Sequence, residues 1–169
     1  SYDTCVKSVL SDEEMEKIHQ ASKQIPVFLS FNMSLGVNIL LKLVKEAAKN
    51  LNNFDIEIIE KHHNKKVDSP SGTAVMIANA VKKVREQSEF IYGRHGRTGK
   101  RQPNEVGIHA VRGGTIVGEH SAIFAGNDEI LELNHKKRSK NVFAEGAIAA
   151  AKYLVNQEPG FYNMDDMLG

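Results

Sequence analysis

The chain has 169 residues, of which 41% are hydrophobic and 25% are charged, a composition that is ordinary for a globular protein with a proper core. Its formal net charge of +1 at pH 7 does not indicate nucleic acid or a membrane surface as a partner. A single cysteine, Cys5, excludes an internal disulfide framework and a cysteine-based zinc site, and no apolar stretch reaches the ~20 residues of a membrane span, so we expect a cytoplasmic protein.

The first half of the chain alternates predicted helices and strands. Ser11 is followed by three acidic residues, which predicts a capped helix start and a helix to about residue 23. The apolar run 25–30 predicts a short buried strand. Apolar residues at four-residue steps predict a long amphipathic helix over 35–50, and period-two alternation predicts a strand over 54–60.

The second half predicts a sheet. A helix over 74–87 is followed by a glycine-rich basic loop over 93–103, which we expect to be mobile. Strand-like runs separated by turns follow at 106–111, 115–118, 120–125 and 129–135. A last helix is predicted over 141–156. This order predicts an α+β fold in the wider α/β family, with an open mixed, largely antiparallel sheet covered by helices on one face. The bare face favours a homo-oligomer formed through the sheet.

The segment 60–73 concentrates residues that carry chemistry. His62 and His63 stand at a strand end, Lys66 follows four residues after His62, and Ser71-Gly72-Thr73 opens a helix. The free N–H groups and the positive dipole of a helix start form an anion site. Histidine and lysine add proton donors with tunable pKa values. The combination suits a small dianionic substrate.

Each signal has a plainer interpretation. A single histidine at a strand end is more often structural, a lysine pair is usually solvated, and Ser-Gly-Thr before a helix is usually only a cap. The occurrence of all these signals within residues 60–73 is what favours a functional site.

Residues 62–74, His-His-Asn-Lys-Lys-Val-Asp-Ser-Pro-Ser-Gly-Thr-Ala, resemble the pattern His-His-x-x-Lys-x-Asp-x-Pro-Ser-Gly-Thr of the 4-hydroxy-tetrahydrodipicolinate reductase (dihydrodipicolinate reductase) family. Asn64 and Lys65 replace the Arg and His of some members, and both stay polar. The resemblance extends over about residues 8–169. It includes the further segments 32–38, 111–120, 143–147 and 160–164.

The resemblance implies an enzyme of lysine and diaminopimelate biosynthesis. The family reduces 4-hydroxy-2,3,4,5-tetrahydrodipicolinate, with loss of water, by hydride from NADPH or NADH. By match, His62 is the general acid and base, Lys66 is the second proton donor, and His63 binds substrate. Gly72 and Thr73 hold a substrate carboxylate. The residues matched to the nicotinamide end of the cofactor are Ser30, Phe31, Asn32 and Met33. The family forms tetramers through the sheet of this domain.

One family feature is missing from the sequence. No G-x-G-x-x-G occurs, and Gly93, Gly96 and Gly99 lie in a basic loop that does not replace it. We therefore expect residues 1–31 to be a remnant of a Rossmann dinucleotide-binding domain, with residues 1–8 foreign, rearranged or a scar. Residues 32–138 would bind substrate and form the tetramer, and 139–169 would return to the first domain. Such a truncated chain is expected to bind NADPH poorly and to be inactive by itself.

Three alternatives stay open at this point. The chain could be a non-catalytic module that binds dicarboxylates or only tetramerises. A nucleic-acid site would use Arg94, Arg97, Lys100, Arg101 and residues 136–138, but no aromatic platform accompanies them. A zinc site would draw on Glu60, His62, His109, His120 and His135. Their spacing matches no known zinc motif, so we expect no metal.

Overall fold

A computed structural model of the chain describes residues 10–169, so the interpretation of residues 1–8 as foreign lies outside the described residues. Within residues 10–169, no helix is both long and apolar enough to cross a membrane. The elements follow in the order α1 Asp12–Ser22, β1 Pro26–Phe28, α2 Leu35–Asn50, β2 Asp55–His62, α3 Gly72–Lys82, β3 Glu89–Tyr92, β4 Glu105–Arg112, β5 Glu119–Ala125, β6 Ile130–Lys136, α4 Asn141–Leu154, β7 Gly160–Tyr162 and α5 Met164–Leu168.

The chain divides into two compact units. The first consists of the described residues up to Ile39 together with Lys140–Gly169. Its strands β1 and β7 form a two-stranded parallel sheet. Ser11 caps α1 through a capping box with Glu14, as the sequence predicts. A sheet of two strands is too small to identify a dinucleotide-binding fold, so the Rossmann remnant stays a proposal.

The second unit, Leu40–Ser139, contains a five-stranded sheet in the order β3-β4-β2-β5-β6. The pairs β3–β4 and β4–β2 are parallel, whereas β2–β5 and β5–β6 are antiparallel. The sheet is open and mixed, as predicted, but the prediction that it is largely antiparallel is wrong. Strand β2 inserts between β4 and β5, so these two neighbours in sequence do not form a hairpin.

The insertion of β2 also bears on a predicted strand that the structure does not contain. Residues 115–118, predicted as a strand, form a turn and a loop between β4 and β5. Gly113 N–H donates to the carbonyl of His62 at 3.0 Å, which ties the loop to the end of β2. Strands β3 and β7 and helix α5 had no predicted counterpart, because each is a single short run without clear periodicity.

The core of this unit lies on one face of the sheet. Ile56 and Ile58 of β2 are buried beside β4 and β5 residues and beneath α2 and α3. Alternate residues of a strand share a face, so Glu60 and His62 continue the same row beyond Ile58. Both are buried, at 0% and 6% exposure. The core face of β2 therefore ends in two polar side chains, and these begin the candidate site.

The opposite face carries a separate charged cluster. Arg94 donates to both carboxylate oxygens of Glu57 at 2.9 Å, Arg101 Nε donates to it at 3.2 Å, and His109 Nε2 lies 2.7 Å from Oε2. Gly107 makes room, because a Cβ there would lie 1.8 Å from Glu57 Oε2. The loop over 93–103, expected to be mobile, is thus held to the sheet by two arginines.

Candidate functional site

Glu60 is the centre of the site's hydrogen bonds. Arg112 of β4 donates to both carboxylate oxygens at 2.7 Å, and the backbone N–H of Ser71 donates at 2.9 Å. His62 Nδ1 lies 2.5 Å from Oε2. The parallel register of β2 and β4 places Arg112 opposite His62. Ser71 belongs to a different segment, since it is the N-cap of α3. One buried carboxylate therefore joins three segments of the chain.

The pKa directions follow from these contacts. Burial alone would raise the pKa of Glu60, but the hydrogen bonds from Arg112, His62 and Ser71 outweigh it and lower the pKa below its ordinary value. For His62, burial lowers the pKa, and this exceeds the opposing effect of Glu60. At neutral pH the pair is thus a carboxylate and a neutral imidazole. A carboxylate only accepts hydrogen bonds, so the contact with Glu60 favours the imidazole form that carries its proton on Nδ1.

Lys66 lies in the turn that follows β2. Its backbone N–H donates to the carbonyl of His63 at 3.2 Å, and its ammonium group donates to Asp68 Oδ1 at 2.6 Å. This contact lowers the pKa of the Asp68 carboxyl. Arg112 donates to the Asp68 carbonyl at 2.7 Å, so the arginine that holds Glu60 also holds this turn. Lys66 contributes electrostatically to the lowered pKa of His62, which reflects how close the two cations would be.

The start of α3 forms the third part of the site. Ser71 is the N-cap, and its hydroxyl oxygen accepts from Ala74 N–H at 3.3 Å. The same hydroxyl lies 2.9 Å from His120 Nε2. Gly72 and Thr73 are the first residues of the helix, and a Cβ at Gly72 would meet no atom within 4 Å. The N-terminal end of a helix carries the positive end of the helix dipole, so the start of α3 is a favourable place for an anion.

The structure links the predicted site residues to the Glu60–Arg112 pair to different degrees. His62 contacts Glu60 directly, and Lys66 is joined to Arg112 through Asp68. Gly72 and Thr73 follow Ser71, whose N–H donates to Glu60, and half-buried His63 directly follows His62 in the chain. The sequence interpretation gave no role to Arg112, treated Ser71 as part of the anion site at the helix start, and considered His120 only as a zinc ligand. Arg112 is 50 positions from His62, and only the register of two parallel strands reveals the contact. Glu60 had been considered only as a zinc ligand.

The candidate cofactor residues belong to the other unit. Ser30 Oγ donates to the Asn32 carbonyl at 2.9 Å, and Asn32 Oδ1 accepts from Ser34 N–H at 2.9 Å. The Phe31 ring is 67% exposed. The backbone of Met33 lies against Gly146 of α4, where a Cβ would be 1.6 Å from the Met33 carbonyl oxygen. This turn is therefore well ordered by its own contacts while one aromatic ring projects from it.

The candidate zinc residues do not form one group. His109 lies on the face of the sheet with Glu57, whereas Glu60, His62 and His120 share the core face. The His62 and His120 rings meet edge to face at 5.1 Å, and burial lowers the pKa of His120 to about 3. Over residues 10–169, no set of three or more His, Cys, Asp or Glu side chains is placed to hold a metal ion.

Comparison with known proteins identifies relatives over most of the chain. A family model described as "Dihydrodipicolinate reductase, C-terminus" matches residues 36–168. The chain is 58% identical over 160 residues to the 4-hydroxy-tetrahydrodipicolinate reductase of Caldanaerobacter subterraneus, and 52% identical over 162 residues to that of Clostridium botulinum. In both cases the alignment covers 94% of this chain and 64% of the relative. The chain therefore spans less than two thirds of these relatives' length.

A solved structure supports the fold independently. The dipicolinate-bound dihydrodipicolinate reductase from Paenisporosarcina sp. TG-14 superposes with a TM-score of 0.76 at 22% identity. The match covers 93% of this chain and 60% of that one. At this identity the likeness concerns the fold alone.

Proposed function

Because the chain belongs to the dihydrodipicolinate reductase family, we propose that it carries the substrate site of a cytoplasmic enzyme of lysine and diaminopimelate biosynthesis. The reaction is the reduction of 4-hydroxy-2,3,4,5-tetrahydrodipicolinate to tetrahydrodipicolinate, with loss of water. The observation that carries the proposal is the attachment of His62, the Lys66 turn and the α3 start to one buried Glu60–Arg112 pair. That arrangement supplies a proton-transfer group, a cation and an anion site together.

The proposed roles follow from the chemistry of each group. One substrate carboxylate would accept hydrogen bonds from the N–H groups of Gly72 and Thr73 and from the Thr73 hydroxyl, with His63 as a further donor. His62 would accept and return a proton at Nε2, the nitrogen that its contact with Glu60 leaves unprotonated. Lys66 would donate a proton and stabilise negative charge that develops on the ring.

The nicotinamide cofactor, NADPH or NADH, supplies the hydride when bound. Ser30, Phe31, Asn32 and Met33 would hold its nicotinamide end, and the exposed Phe31 ring offers an apolar face for a planar group. In this proposal residues 32–138 are the substrate-binding and tetramerisation domain. Residues 1–31 and 139–169 belong with the cofactor domain.

A second candidate function applies to these 169 residues by themselves. The sequence contains no G-x-G-x-x-G loop, so the pyrophosphate of the cofactor has no typical binding turn here. The chain alone would then bind dicarboxylates and assemble through its sheet without turnover.

The proposal is tested by calorimetric titration of pyridine-2,6-dicarboxylate, a planar mimic of the substrate ring, into the purified chain with and without NADPH. We expect binding that Thr73→Ala or His63→Ala weakens at least about tenfold, because each removes a hydrogen bond to a charged group. Thr98→Ala, in the exposed loop after β3, is the matched control and should bind like the unchanged chain.

The effect of NADPH on binding, together with an assay of NADPH oxidation, distinguishes the two proposed functions. Binding that is indifferent to NADPH, with no substrate-dependent NADPH oxidation, favours the module without turnover. Steady NADPH oxidation that depends on substrate favours the complete reductase. Equal affinity of Thr73→Ala and the unchanged chain would contradict the site assignment.

A further inference from the structure

Glu60 has a position that stability alone does not explain. It follows Ile56 and Ile58 in the buried row of β2, where an apolar residue would fit the pattern of the strand. Transferring a carboxylate into such a place costs free energy, and a buried ion pair often stabilises a fold no more than apolar residues of similar size. A charged residue at the end of the core therefore suggests a task other than packing.

The partners of Glu60 differ in what they can do. The Ser71 N–H and the Arg112 guanidinium are obligatory donors, and together they engage both carboxylate oxygens. His62 is the only partner that can either donate or accept. Since Glu60 can only accept, the contact of 2.5 Å between His62 Nδ1 and Oε2 forces the imidazole to carry its proton on Nδ1.

From this arrangement we propose that Glu60 is a positioning residue of the site, which fixes His62 in the Nδ1–H tautomer so that Nε2 is free to exchange a proton with a ligand. The inference rests on the proposed function of His62 and deepens it. Through Ser71 and Arg112, the same carboxylate sets the α3 start and the Lys66 turn around that imidazole. Its effect on substrate is exerted only through these neighbours.

The space around Nε2 agrees with this role. Gly118, in the loop before β5, faces His62, and a Cβ at this position would lie 3.0 Å from Nε2. The charged and titratable groups around His62 include Glu60, Lys66, Arg112 and His120, and Lys137 Cε would lie 3.2 Å from the same Cβ. Of these, Glu60 is the one that lies within hydrogen-bond distance of a ring nitrogen of His62.

The test is a two-dimensional ¹H–¹⁵N NMR spectrum of histidine ring nitrogens, recorded at neutral pH on the chain labelled with ¹⁵N. The His62 signals are identified by their loss in His62→Gln. We expect the Nδ1–H tautomer in at least about tenfold excess, because a hydrogen bond to a carboxylate outweighs the small intrinsic preference of imidazole. An Nε2–H tautomer in the unchanged chain would overturn the proposal without any variant.

Glu60→Gln gives the opposite prediction for the tautomer. The glutamine oxygen should take the Oε1 place, where both Ser71 N–H and Arg112 Nη2 donate, because the reverse orientation would set the NH₂ group against two donors instead of one. The NH₂ group then occupies the Oε2 place beside His62 and Arg112 Nη1 and makes Nδ1 an acceptor. The proton should move to Nε2. Glu57→Gln, the equivalent change on the other face of β2, is the control and should leave the His62 signals unchanged. Retention of the Nδ1–H tautomer in a folded Glu60→Gln chain would refute the role of Glu60.

Glu60→Asp is a second variant for the case that Glu60→Gln does not fold. It keeps the charge that Arg112 needs, but its side chain is one methylene shorter and cannot reach all four donors, so we expect a mixture of tautomers at His62. An unaltered Nδ1–H form would count against the proposal. The NMR readout needs no turnover: failure to bind pyridine-2,6-dicarboxylate with the expected tautomer present would reject the proposed function and keep the positioning role.

Discussion

Two carboxylates of β2, Glu57 and Glu60, face opposite sides of the sheet and behave differently. Glu60 is fully buried and its partners belong to the candidate site. Glu57 is partly exposed and is held by Arg94, His109 and Arg101. Burial would raise the pKa of Glu57, but hydrogen bonds from these three residues lower it to about 2. The contacts of Glu57 therefore serve the sheet rather than the site.

Glu57→Gln tests this contribution to stability. The folded pKa lies below the ordinary value of 4.5, so the stabilisation is present above about pH 4.5 and is lost as the pH falls through about 2. We expect a loss of about 1–2 kcal/mol in the free energy of unfolding at pH 7, less than the full shift implies because solvent reaches the cluster. Urea unfolding measured from pH 7 to pH 2 checks this.

The variant and the unchanged chain should converge in stability towards the acid end of that range. Glu86→Gln, at an exposed carboxylate, is the control and should change stability little at any pH. A constant difference between Glu57→Gln and the unchanged chain from pH 7 to pH 2 would show that charge is not the cause.

The proximity of candidate site residues was predictable where they are close in sequence. The spacing of His62, Lys66 and Ser71-Gly72-Thr73 already indicates a cation and a helix start after a strand. The support behind them was not predictable, because Arg112 reaches Glu60 only through the pairing of β2 with β4. The spacing of residues along the sequence thus indicates which groups would contact a ligand. The residues that orient these groups depend on which strands pair in the sheet.

Among the elements, α4 approaches the backbone of another segment closely at Gly146. Gly146 is buried in this helix, and a Cβ would lie 1.6 Å from the Met33 carbonyl oxygen. A backbone atom cannot move aside as a flexible side chain can. The glycine thus sets how closely α4 packs on the turn before α2.

Gly146→Ala should therefore destabilise the chain by about 1–3 kcal/mol, the usual cost of overpacking, although alanine by itself favours a helix by about 1 kcal/mol over glycine. Thermal unfolding followed by circular dichroism measures the result. Ala147→Gly, at the exposed neighbouring position, is the reference for helix propensity alone. Stabilisation by Gly146→Ala would mean that the contact with Met33 is not maintained.

Element type was predicted better than element pairing. Helix α2 has the predicted bounds because its apolar residues recur over four turns. The parallel pairing of β3, β4 and β2 was missed, since alternation reveals which face of a strand is buried but not which strand lies beside it. The short strand β3 and the inserted position of β2 together account for the error.

For the whole molecule, we propose that the open face of the sheet is where copies assemble into a homotetramer. Ile130 on edge strand β6 is 66% exposed, and Val111 of β4 is 44% exposed. By register, both point away from the core face. Exposed apolar residues on a sheet face that no helix covers are typical of an interface.

Ile130→Asp should shift the chain towards smaller species, because a charge buried in an interface is strongly unfavourable. Sedimentation velocity of the variant and of the unchanged chain gives the distribution of masses. Val155→Asp, at an 82% exposed position outside the sheet, should leave that distribution as it is. A monomer in the unchanged chain at all concentrations would refute the assembly.

Glu57 and Glu60 also favour one alignment of β2 with its neighbouring strands. Ile56 and Ile58 repeat with period two, so a slip of β2 by two residues would still present apolar side chains to the core. Such a slip would separate Glu60 from Arg112 and Glu57 from Arg94. A buried charge would then lack its partner, at a cost of about 3–5 kcal/mol. The two arginines therefore raise the free energy of the shifted register relative to the native one. The apolar pattern of β2 alone would hardly distinguish these two registers.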